Sequence, residues 1–227
     1  MAERERMRVE RGQKRVRGLL AGEVIVDTDE PLLVWEKPYY PTYYFPAEGV
    51  RADVLADTGE TSRTPSRGTA RVFSIQTDAV EVENAVLGSD DSPITELNGT
   101  FRVEWQAMDH WFEEDEEVYV HPRSPYTRID ALTSSRHVVV SIDGVEVANS
   151  SSPVVLFETG LPPRYYLPKT DVRMDLLVPS NTSTECPYKG TAEYWSVEIG
   201  DSVHGDIVWG YPFPARESAP IAGLVCF

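Results

Sequence analysis

The stretch that decides the fold is Pro41-Thr42-Tyr43-Tyr44-Phe45-Pro46, because it returns 122 positions later as Pro163-Arg164-Tyr165-Tyr166-Leu167-Pro168. Working outward without a gap, Pro31, Glu36, Val50, Arg51, Asp53 and Leu55 meet Pro153, Glu158, Val172, Arg173, Asp175 and Leu177. Further on, Pro65, Gly68, Thr69, Ala70 and Ser74 meet Pro187, Gly190, Thr191, Ala192 and Ser196. Late in each copy the offset becomes 124, so that Gly99 pairs with Gly223 and Val103 with Phe227. A unit this long is a domain rather than a solenoid turn. The chain therefore reads as a basic N-terminal arm over 1–13, a diverged first repeat over 14–120, a linker over 121–135 and a second repeat over 136–227.

Both repeats read as β. His137 to Ile142, then Asp143-Gly144, then Val145 to Ala148 predicts a hairpin, since Asp-Gly supplies the positive φ angles of a two-residue turn. Gly22 holds the place of Gly144 in the first copy. The apolar runs Leu32–Trp35 and Val154–Phe157 predict short buried strands. Alternation from Thr191 to Ile199 puts Thr191, Glu193, Trp195, Val197 and Ile199 on one strand face, with Thr69–Ile75 as its twin. Prolines bracket both tyrosine pairs and place them at edges or bends. Short helices are expected over Asp171–Leu177, with Asp171 as cap, and around Trp105, Met108 and Trp111-Phe112, where apolar residues fall at helical spacing. The acidic run Glu113–Glu117 then reads as a solvated face. The fold class is mainly β: two similar compact β-rich domains, barrel- or sandwich-like, with one or two short helices.

Composition narrows the function. With 227 residues, 41% hydrophobic, the chain can build two cores. A formal net charge of -16 argues against nucleic acid and against anionic membranes. Only residues 1–17 run basic, with seven Lys and Arg facing Glu3, Glu5 and Glu10. No apolar run follows that segment as in a signal peptide, and no stretch reaches the length of a membrane span. Two cysteines, Cys186 and Cys226, make no disulfide framework, so a cytoplasmic protein with reduced thiols is expected.

A family resemblance rests on ordered motifs. Glu158-Thr159-Gly160-Leu161-Pro162-Pro163-Arg164-Tyr165-Tyr166-Leu167-Pro168, Asp171 to Leu177, Cys186-Pro187-Tyr188-Lys189-Gly190, and Trp209-Gly210-Tyr211-Pro212-Phe213-Pro214 resemble the family called domain of unknown function 427, which also carries a nucleotidyltransferase-like label. Ile221 to Phe227 continues the match, and Pro125–Asp130 with Ser135-Arg136-His137 looks like the family's entry segment. The resemblance is strong over 125–227 and weaker over 14–120. It implies compact, mainly β domains in tandem.

Candidate chemistry falls in the second repeat. Cys186, Tyr188 and Lys189 become Thr64, Ser66 and Arg67 in the first, Trp195 becomes Phe73, Trp209 becomes Leu87 and Arg164 becomes Thr42. A thiol beside a lysine is a candidate nucleophile, with Lys189 as acid or electrostatic stabiliser. Tyr166, Tyr188, Trp195, Trp209 and Tyr211 can line a site for a small anionic or aromatic molecule, with Arg164, Lys189 and Glu158 as polar anchors. Glu158 and Glu36 end apolar strands and need partners if buried; Arg173 and Arg51 are the expected ones. No Cys/His set has zinc spacing, Asp90-Asp91 point to opposite strand faces, and no phosphate-cradling loop occurs, so no cofactor or metal is expected. The leading expectation is a small-molecule-binding module. A transferase-like enzyme using Cys186 and Lys189, or a structural or assembly protein, remain as alternatives.

Overall fold

The structure, a computed structural model, describes residues 7–227. It is mainly β and divides into two units, Met1–Ser124 and Pro125–Phe227. Arg4 and Arg6, part of the expected arm, lie outside the described residues.

The first unit contains β1 (Arg8–Arg11), β2 (Val16–Leu20), β3 (Glu23–Thr28), β4 (Leu32–Trp35), β5 (Thr42–Pro46), β6 (Leu55–Thr64), β7 (Gly68–Gln76), β8 (Glu81–Asp91), β9 (Thr100–Val103), β10 (His110–Glu113) and β11 (Glu116–Glu117). A seven-stranded sheet runs in the order β1-β4-β5-β9-β8-β7-β6, and a four-stranded sheet in the order β11-β10-β2-β3. The second unit contains β12 (Ile129–Thr133), β13 (Val138–Ile142), β14 (Val145–Ser150), β15 (Val154–Glu158), β16 (Arg164–Tyr166), β17 (Leu177–Cys186), β18 (Gly190–Ile199), β19 (Ser202–Gly210) and β20 (Val225–Cys226). These form sheets β12-β15-β16 and β17-β18-β19-β20 and the hairpin β13-β14.

The strand pairings of the second unit recur in the first, where β10 and β11 are additional. Arg8 pairs with Trp35 as Asp130 pairs with Phe157, and Leu33 with Tyr43 as Val155 with Tyr165. Phe73 faces Val86 as Trp195 faces Val208. Phe45 pairs with Phe101, and the single bridge between Leu167 and Val225 is its counterpart. Even the irregularities recur: Asn84 (φ 55°) and Asp206 (φ 53°) are both left-handed where the ladder shifts register. Asn and Asp tolerate that conformation better than most residues.

Alternation explains the repeated tyrosine pairs. Neighbouring strand residues point to opposite faces. Tyr43 packs with Val26, Phe45, Val86 and Trp111, whereas Tyr44 packs with Val34 and Leu97. Tyr165 packs against Val147, Leu167 and Val208, whereas Tyr166 joins Leu156, Ala192, Tyr211 and Cys226. β18 also serves two cores: Trp195, Val197 and Ile199 face one, and Ala192 and Tyr194 face the other. Thr191 and Glu193, placed on the same face as Trp195 by the alternation, are exposed.

The hairpin at Asp143-Gly144 forms as expected, with φ of 51° and 79°. Other expectations need correction. Arg8–Arg11, read as part of an arm, and Ile129–Thr133, read as linker, are the equivalent strands β1 and β12. No helix spans 105–112: Trp105–Ala107 is a single 3-10 turn, and β10 follows, pairing with β2. The helical spacing was produced by a turn and a strand that both point apolar residues inward. Gly18 makes room for the Trp111 ring, since a Cβ there would come within 2.9 Å of it. Asp171–Leu177 is likewise two 3-10 turns, Lys169–Asp171 and Met174–Leu176, twins of Ala47–Gly49 and Ala52–Val54. Asp171 caps no helix; its carboxylate accepts a hydrogen bond from the Ser150 hydroxyl at 2.7 Å. Among the described residues, no helix is long and apolar enough to cross a membrane.

Candidate functional site

Three pieces of the second unit converge. β15 ends in Glu158, β16 opens with Arg164, and the turn from Cys186 to Gly190 joins β17 to β18. Pro187 starts that turn, and the Lys189 amide closes it by donating to the Cys186 carbonyl at 3.3 Å. Gly190 sits at φ 93°, where a Cβ would come within 3.1 Å of the Phe213 carbonyl oxygen. The turn is held from outside as well. The Ala215 amide donates to the Lys189 carbonyl at 3.1 Å, and the Ser218 hydroxyl to the Tyr188 carbonyl at 3.2 Å.

The turn delivers the Lys189 ammonium onto the Glu158 carboxylate, with side-chain exposures of 13% and 10%. The buried-carboxylate expectation thus finds a different partner. Arg173 lies on the surface in a fork with Asp175, and Arg51 serves Asp53 and Glu23. The Lys189 ammonium is thus engaged with the Glu158 carboxylate.

Around the pair, Tyr166 and Tyr211 stand with ring centroids 6.4 Å apart, and burial holds both phenols well above the ordinary tyrosine range. A hydrogen bond from Trp209 acts in the opposite sense on Tyr166. Burial also pushes the Cys226 thiol up to about 11, against the charges of Arg164 and Lys189. Cys186 is half-buried and free. Arg164 is exposed and lays its guanidinium over the Trp209 ring, 5.6 Å from the centroid. Tyr188 lies in the same turn. Trp195 does not join this group: it packs with Val197 and Ile199 in the other core and carries Lys169 over its ring at 4.9 Å.

The first unit repeats the charged centre with changed surroundings. Glu36 Oε1 accepts from the Tyr44 hydroxyl at 2.7 Å, from Arg67 Nη1 at 3.1 Å and from Arg102 Nε at 3.1 Å. Arg67 thus replaces Lys189, and Arg102 stands where the second unit has Cys226. A slot of about 10 Å³ remains among Tyr44, Thr64, Arg67, Leu87 and Ser89, the counterparts of Tyr166, Cys186, Lys189, Trp209 and Tyr211. That is room for about one water.

Two features escaped the sequence. Glu113, read as part of a solvated run, is only 5% exposed and accepts hydrogen bonds from Tyr43 at 2.6 Å and Lys14 at 2.5 Å. A cleft of about 210 Å³ also opens in the first unit on the other side of the Glu36 centre, lined by Glu36, Arg102, Glu104, Trp105 and Tyr40 and floored by Trp111. Among the described residues, no group of three or more His, Cys, Asp or Glu converges as a metal site would.

A shared topology, a shared Glu–cation–Tyr centre and a shared register of bulges make the two units copies of one module. A family model described as a domain of unknown function, DUF427 (NTP_transf_9), matches residues 8–114 and again 130–227. The chain belongs to this family. Both DUF427 segments begin at the strand that sequence reading assigned to an arm or a linker, β1 and β12. No curated protein matches the chain.

Proposed function

We propose that the second DUF427 repeat is a small-molecule-binding module that recognises a small anionic aromatic compound at Arg164 and Trp209, beside the Glu158–Lys189 pair. The observation that carries the reading is that ion pair. Replacing a buried pair by apolar residues is often neutral or stabilising, so its stability alone gives little reason for it. Here it recurs in both copies, and in the second it is ringed by Cys186, Tyr166 and Tyr211. Arg164 supplies the bidentate donor suited to a carboxylate or phosphate, and the Trp209 face supplies stacking surface. Lys189 acts by fixing Glu158 rather than by meeting the ligand. Both cysteines are free, which suits the reducing cytoplasm.

The test is titration of benzoate into the full chain by calorimetry, with benzamide as the uncharged control. Saturable binding of benzoate that Arg164→Ala abolishes and Glu104→Gln leaves intact is expected. Equal binding of benzoate and benzamide, or benzoate binding that survives Arg164→Ala, would overturn the reading.

A further inference from the structure

We infer that the cleft of the first unit is a separate binding site, specific for a small aryl amidine or arylalkylamine, cationic at neutral pH. It does not rest on the proposal for the second repeat. The cleft measures about 210 Å³, and a dry cavity of about 150 Å³ is enough to hold benzene. A substituted six-membered ring therefore fits.

The walls select a ring. Trp105 stacks on Trp111 with centroids 5.1 Å apart, and Tyr40 stacks on His121 at 3.8 Å with their planes 9° apart. All four line the cleft. Trp111 is further fixed by an indole hydrogen bond to the Trp105 carbonyl at 2.9 Å, so this aromatic surface is preformed.

The polar atoms select a cation. Glu36 and Glu104 both reach Arg102, each through Oε1. Among the described residues neither Oε2 accepts any hydrogen bond, and neither is sealed from solvent. Both carboxylates line the cleft with one oxygen unengaged; Arg102, which bridges them there, is neutralised by the pair, and Arg67, the second guanidinium on Glu36, lies outside the cleft lining. Lys37, the other cation in the lining, is exposed, so solvent and salt screen its charge. Burial holds His121 below the ordinary histidine range, so it adds no positive charge near neutral pH. An amidinium or ammonium donates to both free oxygens, and its ring lies against the aromatic walls.

Calorimetric titration of benzamidine into the full chain at neutral pH tests this, with benzamide as the isosteric uncharged probe. A compound of that size binding one site should show a dissociation constant on the order of millimolar. Glu104→Gln, at a side chain 41% exposed and outside both cores, should weaken benzamidine at least fivefold with the circular dichroism spectrum unchanged. Arg164→Ala should leave benzamidine binding intact. Absence of saturation, equal affinity for benzamide, or benzamidine binding that withstands Glu104→Gln would each refute the site. Because benzoate binding is assigned to Arg164 and benzamidine binding to Glu104, either proposal can fail while the other stands.

Discussion

Lys189→Met removes one half of a buried pair and leaves Glu158, 10% exposed, facing Tyr166 and Cys186 with no cation. Breaking such a pair from one side costs about 3–5 kcal/mol. The residual exposure of Glu158 lets water recover part of that, so we expect about 3 kcal/mol. For a unit of roughly 100 residues this lowers Tm by roughly 12–24 °C. The double variant Glu158→Leu/Lys189→Met removes both charges and should return to within about 1 kcal/mol of the parent. Native-state hydrogen exchange measures this within one unit: amides of β18 should lose protection, while those of β7 in the first unit serve as the internal reference. The coupling between the two positions should be at least about 2 kcal/mol. A single variant within about 0.5 kcal/mol of the parent would refute the reasoning, as would a double variant as unstable as the singles added together.

Three more outcomes follow from the same geometry. Gly190→Val forces a branched side chain into φ 93° and against the Phe213 carbonyl, so it should cost roughly 2 kcal/mol or more and clearly exceed Cys186→Ala in thermal unfolding; matching transitions for the two variants would contradict the turn. A thiol reagent at pH 8 should modify one cysteine per native chain and two in denaturant, because Cys226 is 1% exposed and its thiol is pushed up to about 11; fast reaction of both in the native protein would count against the packing of β20. His121 is held below its unfolded value of 6.5 by burial, so its neutral form favours the folded state above that pH, and the contribution is lost as pH falls below about 6.5. His121→Phe should therefore flatten the pH dependence of first-unit stability below about pH 6.5, and an unchanged slope would remove His121 as its source.

Much of the fold was legible because duplication doubles the signal. A single Tyr-Tyr between prolines says little, but two at one spacing announce a domain, and Asp143-Gly144 names its own turn. What escaped has physical causes. Arg8–Arg11 and Ile129–Thr133 are edge strands, and their charged or polar residues break the alternation that marks a half-buried strand. Trp105, Met108 and Trp111 mimic helical spacing because a 3-10 turn and a strand both face the same core. The charge partner of Glu158 was missed because sheet neighbours are set by pairing, not by sequence proximity. Arg173 lies nearer in sequence, yet Lys189, 31 residues away, is the one the turn presents. Glu36 was legible as a carboxylate ending an apolar strand, but the cleft beside it depends on Arg102, Trp105 and His121, which only the fold gathers.

That one module was copied and kept its charged centre in both places is tested most directly by a high-resolution crystal structure whose two halves are superimposed. It should bring Glu36, Tyr44 and Arg67 onto Glu158, Tyr166 and Lys189, with Asn84 and Asp206 both left-handed. Halves with different strand pairing, or a Glu158 that meets solvent instead of Lys189, would contradict it.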